Sequence, residues 1–390
     1  MGKLKRTYQE INEKIARKEA VVMTAEEVIA LKEEQGIEEA TKLVDVVTTG
    51  TFGPMCSSGA FFNVGHSDPP IKMQKVWLND VMAYAGLAAV DIYLGATQLS
   101  ESEINGYGGA HVIEEFVKGK DIRLKALSNR TDCYPAREVE AIISKETVNQ
   151  AFMVNPRNAY QNYNVAVNQS TKTIYTYMGI LLPDLGNASY STSGQLSPLL
   201  NDPDLRSIGI GSRIFIGGTE GYVIFEGTQF SPRTITVPEK EIVARQGATL
   251  ALIGNLKKMK PDFIQAAYFA GYGVSLYIGI GIPIPILDED MMRVVSIKDE
   301  EIYTEILDYS YPHPDKPSLG WVNYAQLRSG QIDIKGKKVP TSSLSSYARA
   351  RIIAHSLKEW IEKGQFYLQE PIEFFPSQGE LSRLKTIKIH

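Results

Sequence analysis

Up to Leu43 the chain reads as helix, and its end signals are explicit. Thr24-Ala-Glu-Glu27 is a capping box, with Thr24 accepting from the backbone and Glu27 reaching back, so a helix is expected from there through Leu31. Gly36 closes it and a second short helix runs to Leu43, after which Val44 to Thr49 predicts a buried strand stopped by Gly50. Cys56 then falls just past a strand's C-terminal end, where α/β proteins carry reactive loops. Val76 to Ala89 mixes Trp77, Val81, Tyr84 and Leu87 with no clear period, and Gly106 to Gly109 marks a turn. Asp121 to Ala126 predicts a short strand, again followed by a polar loop with a cysteine, Cys133. The middle third alternates β-like runs with glycine: Ser207 to Ile216, Tyr222 to Phe225, Thr234 to Val237 and Thr249 to Ile253. Ser343 to Lys363 is the clearest late helix, with Leu344, Tyr347, Ile353, Leu357, Trp360 and Ile361 at helical spacing and Gly364 at its end. The pattern describes a mixed α/β fold, a sheet-containing globular protein with helical N- and C-terminal segments. Residues 1–390 read as a single domain with room for two lobes, since no linker forces a cut.

Three stretches carry two readings each. From Asn149 to Asn168 asparagine is over-used, which suits an irregular loop or a polar pocket wall. Gly209 to Gly221 suggests a phosphate loop, yet it lacks the Lys-Ser/Thr of a P-loop, and hairpin turns explain it as well. Phe263 to Leu287 has no charge, but its glycines and its Ile-Pro-Ile-Pro-Ile ending fit buried strands and turns better than a membrane span.

Composition narrows the function classes. With 43% hydrophobic and 22% charged residues in 390, a full core is available and disorder is excluded. The net charge is -4, and the densest basic clusters, Lys3 to Arg6 and Lys257 to Lys260, are short solvated faces, so nucleic acid is not an expected partner. Met1 to Glu13 is charged and lacks the apolar segment of a signal peptide, and two cysteines cannot staple a chain of this size. A cytoplasmic protein with reduced thiols is the expectation. No metal site is expected: the histidines show no H-x-x-x-H spacing, the cysteines no C-x-x-C, and a cluster needs about four cysteines.

The candidate chemistry is thiol chemistry. Cys56 and Cys133 sit among hydroxyls, backbone amides and arginines, surroundings that favour a thiolate, whereas a packing cysteine sits among Val, Leu and Ile. His66, close behind Cys56 in sequence, either activates a thiol or is a lone surface histidine. Arg130 and Arg137 flank Cys133 and either lower its pKa, clamp a carboxylate, or pair with Asp132.

At these residues the chain resembles the homocysteine-biosynthesis family of anaerobic archaea and bacteria. The likeness is carried by the block from Val44 through Cys56-Ser-Ser-Gly-Ala60, by Gly65-His-Ser-Asp-Pro-Pro-Ile-Lys-Met73, Val76-Trp-Leu-Asn-Asp80 and Tyr84 to Asp91. Arg130-Thr-Asp-Cys-Tyr-Pro135, Asn155-Pro-Arg-Asn-Ala-Tyr-Gln-Asn-Tyr-Asn164, Arg213-Ile-Phe-Ile-Gly-Gly218 and Gly271-Tyr-Gly-Val-Ser-Leu276 extend it over nearly the whole chain. The resemblance implies sulfur transfer to L-aspartate semialdehyde, giving L-homocysteine. It implies a persulfide on Cys133 with Cys56 as its resolving partner. It implies no permanently bound cofactor, a sulfide or sulfane-sulfur donor, and electrons from an external reductant, a ferredoxin-like iron–sulfur protein. Arg137, Arg130, Asn155, Arg157 and Asn158 are the candidates for holding the substrate. Archaeal members often continue into paired CBS domains; no CBS or ferredoxin domain is read in this chain. A homo-oligomer is compatible with all of this, as is a second role, a non-catalytic persulfide carrier or scaffold. If the strands before Cys56 and Cys133 are parallel neighbours in one sheet, the two thiols meet at one edge.

Overall fold

The computed structural model describes residues 5–102 and 106–387. The capping box at Thr24 forms: the Glu27 N–H donates to Thr24 Oγ1 at 3.2 Å, and Thr24 N–H donates to the Glu27 carboxylate at 2.7 Å. It opens Ala25–Gln35, and Gly36, at φ +82°, separates this helix from Ile37–Leu43. Val46–Thr48 follows as a fully buried strand, parallel to Val22–Thr24 and antiparallel to Pro283–Pro285.

The largest layer is a nine-stranded sheet in which every neighbouring pair is antiparallel. Its order is Ile264–Phe269, Gly273–Gly281, Arg213–Ile216, Thr219–Glu226, Thr249–Asn255, Gln150–Tyr160, Gly59–Asn63, Asp91–Gly95, with Thr51–Pro54 also paired to Gly273–Gly281. The uncharged run after Phe263 is thus built into sheet, and no helix among the described residues is long and apolar enough to cross a membrane. The Gly209 to Gly221 stretch is a hairpin, turned by Gly217 and Gly218 at φ +59° and +86°, the left-handed pair a tight primed turn requires.

A four-stranded antiparallel sheet packs beside it: Val81–Ala83, Lys75–Leu78, Ile122–Leu127, Glu138–Ile143. The ambiguous period after Val76 resolves as its first hairpin, turned by Asn79 and Asp80 at φ +47° and +60°. A single apolar core joins the two sheets, including Phe62, Ile92, Leu124, Met153 and Leu252. The helix Gly109–Val117, which starts in the glycine cluster read as a turn, buries Ile113 and Phe116 in that core. A six-stranded mixed sheet with its own core completes the molecule, in the order Ser318–Asn323, Tyr303–Asp308, Val165–Val167, Ala188–Tyr190, Lys337–Ser343, Gln331–Ile334.

Two expectations change. Asn149 to Asn168 is not one irregular loop: its first half is the eleven-residue strand Gln150–Tyr160, held on both sides by sheet neighbours. The late helix is Tyr347–Glu362, capped by Ser346, so Leu344 lies outside it. That helix packs directly on backbone at Gly50, where a Cβ would stand 2.2 Å from the Ala350 carbonyl oxygen. Past it, Glu373–Phe374 pairs with Gly209–Ile210 and Phe375 packs on Phe230, ring centroids 5.7 Å apart. The chain then passes Gly379 against Ser231 and Pro232 and brings Arg383 to Asp315 at 3.4 Å.

Candidate functional site

Cys56 stands on a turn between two strands that are both fixed by the nine-stranded sheet. Thr51–Pro54 is held in register by Gly273–Gly281, and Met55 N–H donates to the Leu276 carbonyl at 2.7 Å. Ser58 N–H turns back to the Met55 carbonyl at 3.1 Å and leads into Gly59–Asn63. The half-buried thiol lines a narrow pocket of ≈ 50 Å³ at the seam between sheets. Ser57, Tyr272 and Ser275 come from the nine-stranded side, Tyr163 and Ser191 from the six-stranded side, and Tyr177 and Met178 from the small hairpin Ile174–Leu181. Hydroxyls and aromatic faces make this wall, and among the described residues no charged one is in it. Ser275 Oγ is buried there without a hydrogen-bond partner among the described residues.

Asn155 lies behind the same turn, fully buried, with its amide 2.8 Å from Ser58 Oγ. The Ser58 hydroxyl has one proton and also faces the Met55 carbonyl at 2.6 Å. Among the described residues the Asn155 amide thus finds a partner only at Oδ1, and its Nδ2 is buried behind the Cys56 turn without one.

Cys133 has different surroundings. It is exposed on the loop joining Ile122–Leu127 to Glu138–Ile143, a turn closed by reciprocal Thr131 and Tyr134 backbone bonds of 3.0 and 3.1 Å. Asn129 N–H donates to Gln74 Oε1 at 2.7 Å and Ala136 N–H to the Pro70 carbonyl at 3.2 Å, which anchors both ends. Arg130 and Arg137 are exposed and form no ion pair among the described residues, with Asp132 or any other acid. Their charges remain open to solvent beside the thiol.

The structure sorts the sequence candidates into two groups. His66 stacks on Tyr134 with ring centroids 6.0 Å apart, so it belongs with Cys133 and not with Cys56. Asn155 belongs with Cys56, through Ser58. Arg157 and Asn158 fall on Gln150–Tyr160, but their side chains lie outside the described residues. The two cysteines do not share a sheet edge. Thr51–Pro54 pairs antiparallel in the nine-stranded sheet and Ile122–Leu127 pairs antiparallel in the four-stranded one. Cys56 precedes Gly59–Asn63, whereas His66, which stacks on Tyr134 next to Cys133, follows it.

Sequence reasoning missed the tyrosines. Tyr163 and Tyr177 hydroxyls meet at 2.7 Å, Tyr177 and Tyr309 at 3.0 Å, and Tyr309 donates to Asn164 Oδ1 at 2.9 Å. Asn162 and Asn164 line the adjoining cleft, which bears out the pocket-wall reading for the second half of the asparagine-rich run. Among the described residues no group of three or more His, Cys, Asp or Glu is placed to hold a metal.

The family profile described as "Homocysteine biosynthesis enzyme, sulfur-incorporation" matches residues 20–368, and the chain belongs to that family. It is 51% identical over 382 residues to the L-aspartate semialdehyde sulfurtransferase of Methanosarcina acetivorans, covering 98% of this chain and 74% of that protein. It is 52% identical over 384 residues to the protein of the same name from Methanocaldococcus jannaschii, covering 94% and 73%. No solved structure matches.

Proposed function

We propose that this protein makes L-homocysteine from L-aspartate semialdehyde, with sulfur collected at Cys133 and delivered to the substrate in the Cys56 pocket. The observation that carries the reading is the contrast between the thiols: one exposed beside two arginines that form no ion pair among the described residues, the other lining a pocket in which Ser275 Oγ has no hydrogen-bond partner among the described residues. An exposed cysteine suits attack on a sulfane donor, giving a Cys133 persulfide. Transfer of the terminal sulfur to Cys56 restores the Cys133 thiol and moves no net electrons. The Cys56 persulfide then adds to the aldehyde carbon, forming the C–S bond while the aldehyde oxygen takes a proton and leaves as water. Two electrons reduce that carbon and two more cleave the S–S bond, so each turnover consumes four electrons and four protons and releases homocysteine, water and the free thiol. An iron–sulfur protein is the class of donor that supplies such electrons singly. Ser275 and the Asn155 amide are the groups available to hydrogen-bond the polarised oxygen.

The test is to supply aspartate semialdehyde, a sulfane donor and a reductant, and to follow both homocysteine and protein mass. Cys56→Ser is expected to gain one sulfur at Cys133 and make no homocysteine, while Cys133→Ser loses loading from the donor. Homocysteine formation by Cys56→Ser at the wild-type rate sinks the assignment. The exposure of Cys133 also favours a second reading, a persulfide carrier, which is the outcome if the wild-type protein loads sulfur but yields no homocysteine.

A further inference from the structure

Among the described residues the Cys56 pocket has a thiol and hydroxyls but no charge, whereas an α-amino acid brings a carboxylate and an ammonium that both need partners. Next to it lies a polar cleft of ≈ 700 Å³, and Tyr163 and Tyr177 line both spaces. Tyr163 and Tyr177 thus face both the thiol and the cleft, and Tyr309 stands beside Tyr177 on the cleft side. The cleft carries both signs of charge: Lys316 and Arg233 positive, Glu305 and Glu380 negative. None of the four is ion-paired among the described residues. Lys316 is the best placed of them, half-buried, with its ammonium 4.7 Å from the centroid of the Tyr309 ring and 3.2 Å from His313 Nδ1. A partly desolvated cation without a counter-ion, held at an aromatic wall, is an anchor for an anion.

We infer that this cleft is the subsite for the charged end of the amino-acid substrate, with Lys316 anchoring its carboxylate and the carboxylates of the cleft facing its ammonium, so that the aldehyde points past Tyr177 toward Cys56. The inference rests on the sulfurtransferase reading and adds to it the residues that select an amino-acid aldehyde over any other. Burial lowers the Lys316 pKa and burial raises that of Tyr309, which keeps the phenol neutral as the wall beside the anchor. The tyrosine hydroxyls, fixed by one another and by Asn164, hold that wall rigid. Arg130 and Arg137, on the Cys133 loop of the four-stranded sheet, are then left to the sulfur donor and not to the substrate.

Kinetics of Lys316→Met and Lys316→Arg test it, with sulfur loading at Cys133 followed by mass and propanal as an aldehyde lacking both charged groups. Lys316→Met is expected to raise KM for aspartate semialdehyde roughly ten- to a hundredfold with a smaller change in kcat. Loading and the rate with propanal stay at wild-type levels, and Lys316→Arg recovers most of the affinity. A wild-type KM in Lys316→Met, or an equal loss toward propanal, overturns the assignment while leaving the sulfurtransferase reading in place. If the wild-type protein makes no homocysteine at all, that reading falls and the inference falls with it.

Discussion

Ser275 keeps a hydroxyl buried in the thiol pocket with nothing to bond to among the described residues, and a folded protein loses stability by doing so. Residues that cost stability without a structural return are frequently those that meet a ligand. Ser275→Ala is therefore expected to raise the stability of the ligand-free protein by about 1 kcal/mol while lowering turnover, two changes of opposite sign. Chemical denaturation read beside the homocysteine assay checks it, and a variant that loses stability and keeps its activity refutes the role. Cys133 differs in kind. Its loop is tied at Asn129 and Ala136, so the thiol is presented to solvent by anchored backbone, with Arg130 and Arg137 on either side.

Among the elements, the contact between the late helix and Gly50 governs how the Cys56 strand is seated. A methyl at Gly50 would meet the Ala350 carbonyl oxygen at 2.2 Å and the Ala354 nitrogen at 3.1 Å, both backbone, so the helix itself must move. Gly50→Ala is expected to cost about 1–3 kcal/mol and to slow turnover, because Thr51–Pro54 and the Cys56 turn follow directly. A denaturation midpoint within error of wild type would show that the helix yields freely. The glycine was legible in the sequence only as a strand stop; its neighbour is some three hundred positions away. The same division runs through the fold. Elements set by local chemistry, the Thr24 box, the Gly36 break and the late helix, are written in adjacent residues. Gln150–Tyr160 was obscured because its asparagines argue for turns, and only the strands on either side override them. The cysteines could be picked out by their neighbours, but the wall of Tyr163 and Tyr177 is completed by Tyr309, 132 positions further on, and no spacing announces it.

In the whole molecule the thiols stand on different sheets, Cys56 on a turn of the nine-stranded one and Cys133 on a loop of the four-stranded one, while a direct disulfide requires Cα atoms within about 7 Å. Handover of sulfur from Cys133 to Cys56 is then expected between two chains. Mixing Cys56→Ser with Cys133→Ser proteins should restore homocysteine formation that neither shows alone, each supplying the cysteine the other lacks. A dead mixture of two folded, individually inactive variants would instead require the Cys133 loop to close within its own chain. The carboxyl-terminal run adds a last consequence. It passes from Ser231 and Pro232 to Asp315, and Gly379, Glu380 and Leu381 form part of the cleft wall on the way. A protease nick between Phe375 and Gly379 would therefore loosen one wall of the cleft, which makes limited digestion a direct probe of that wall.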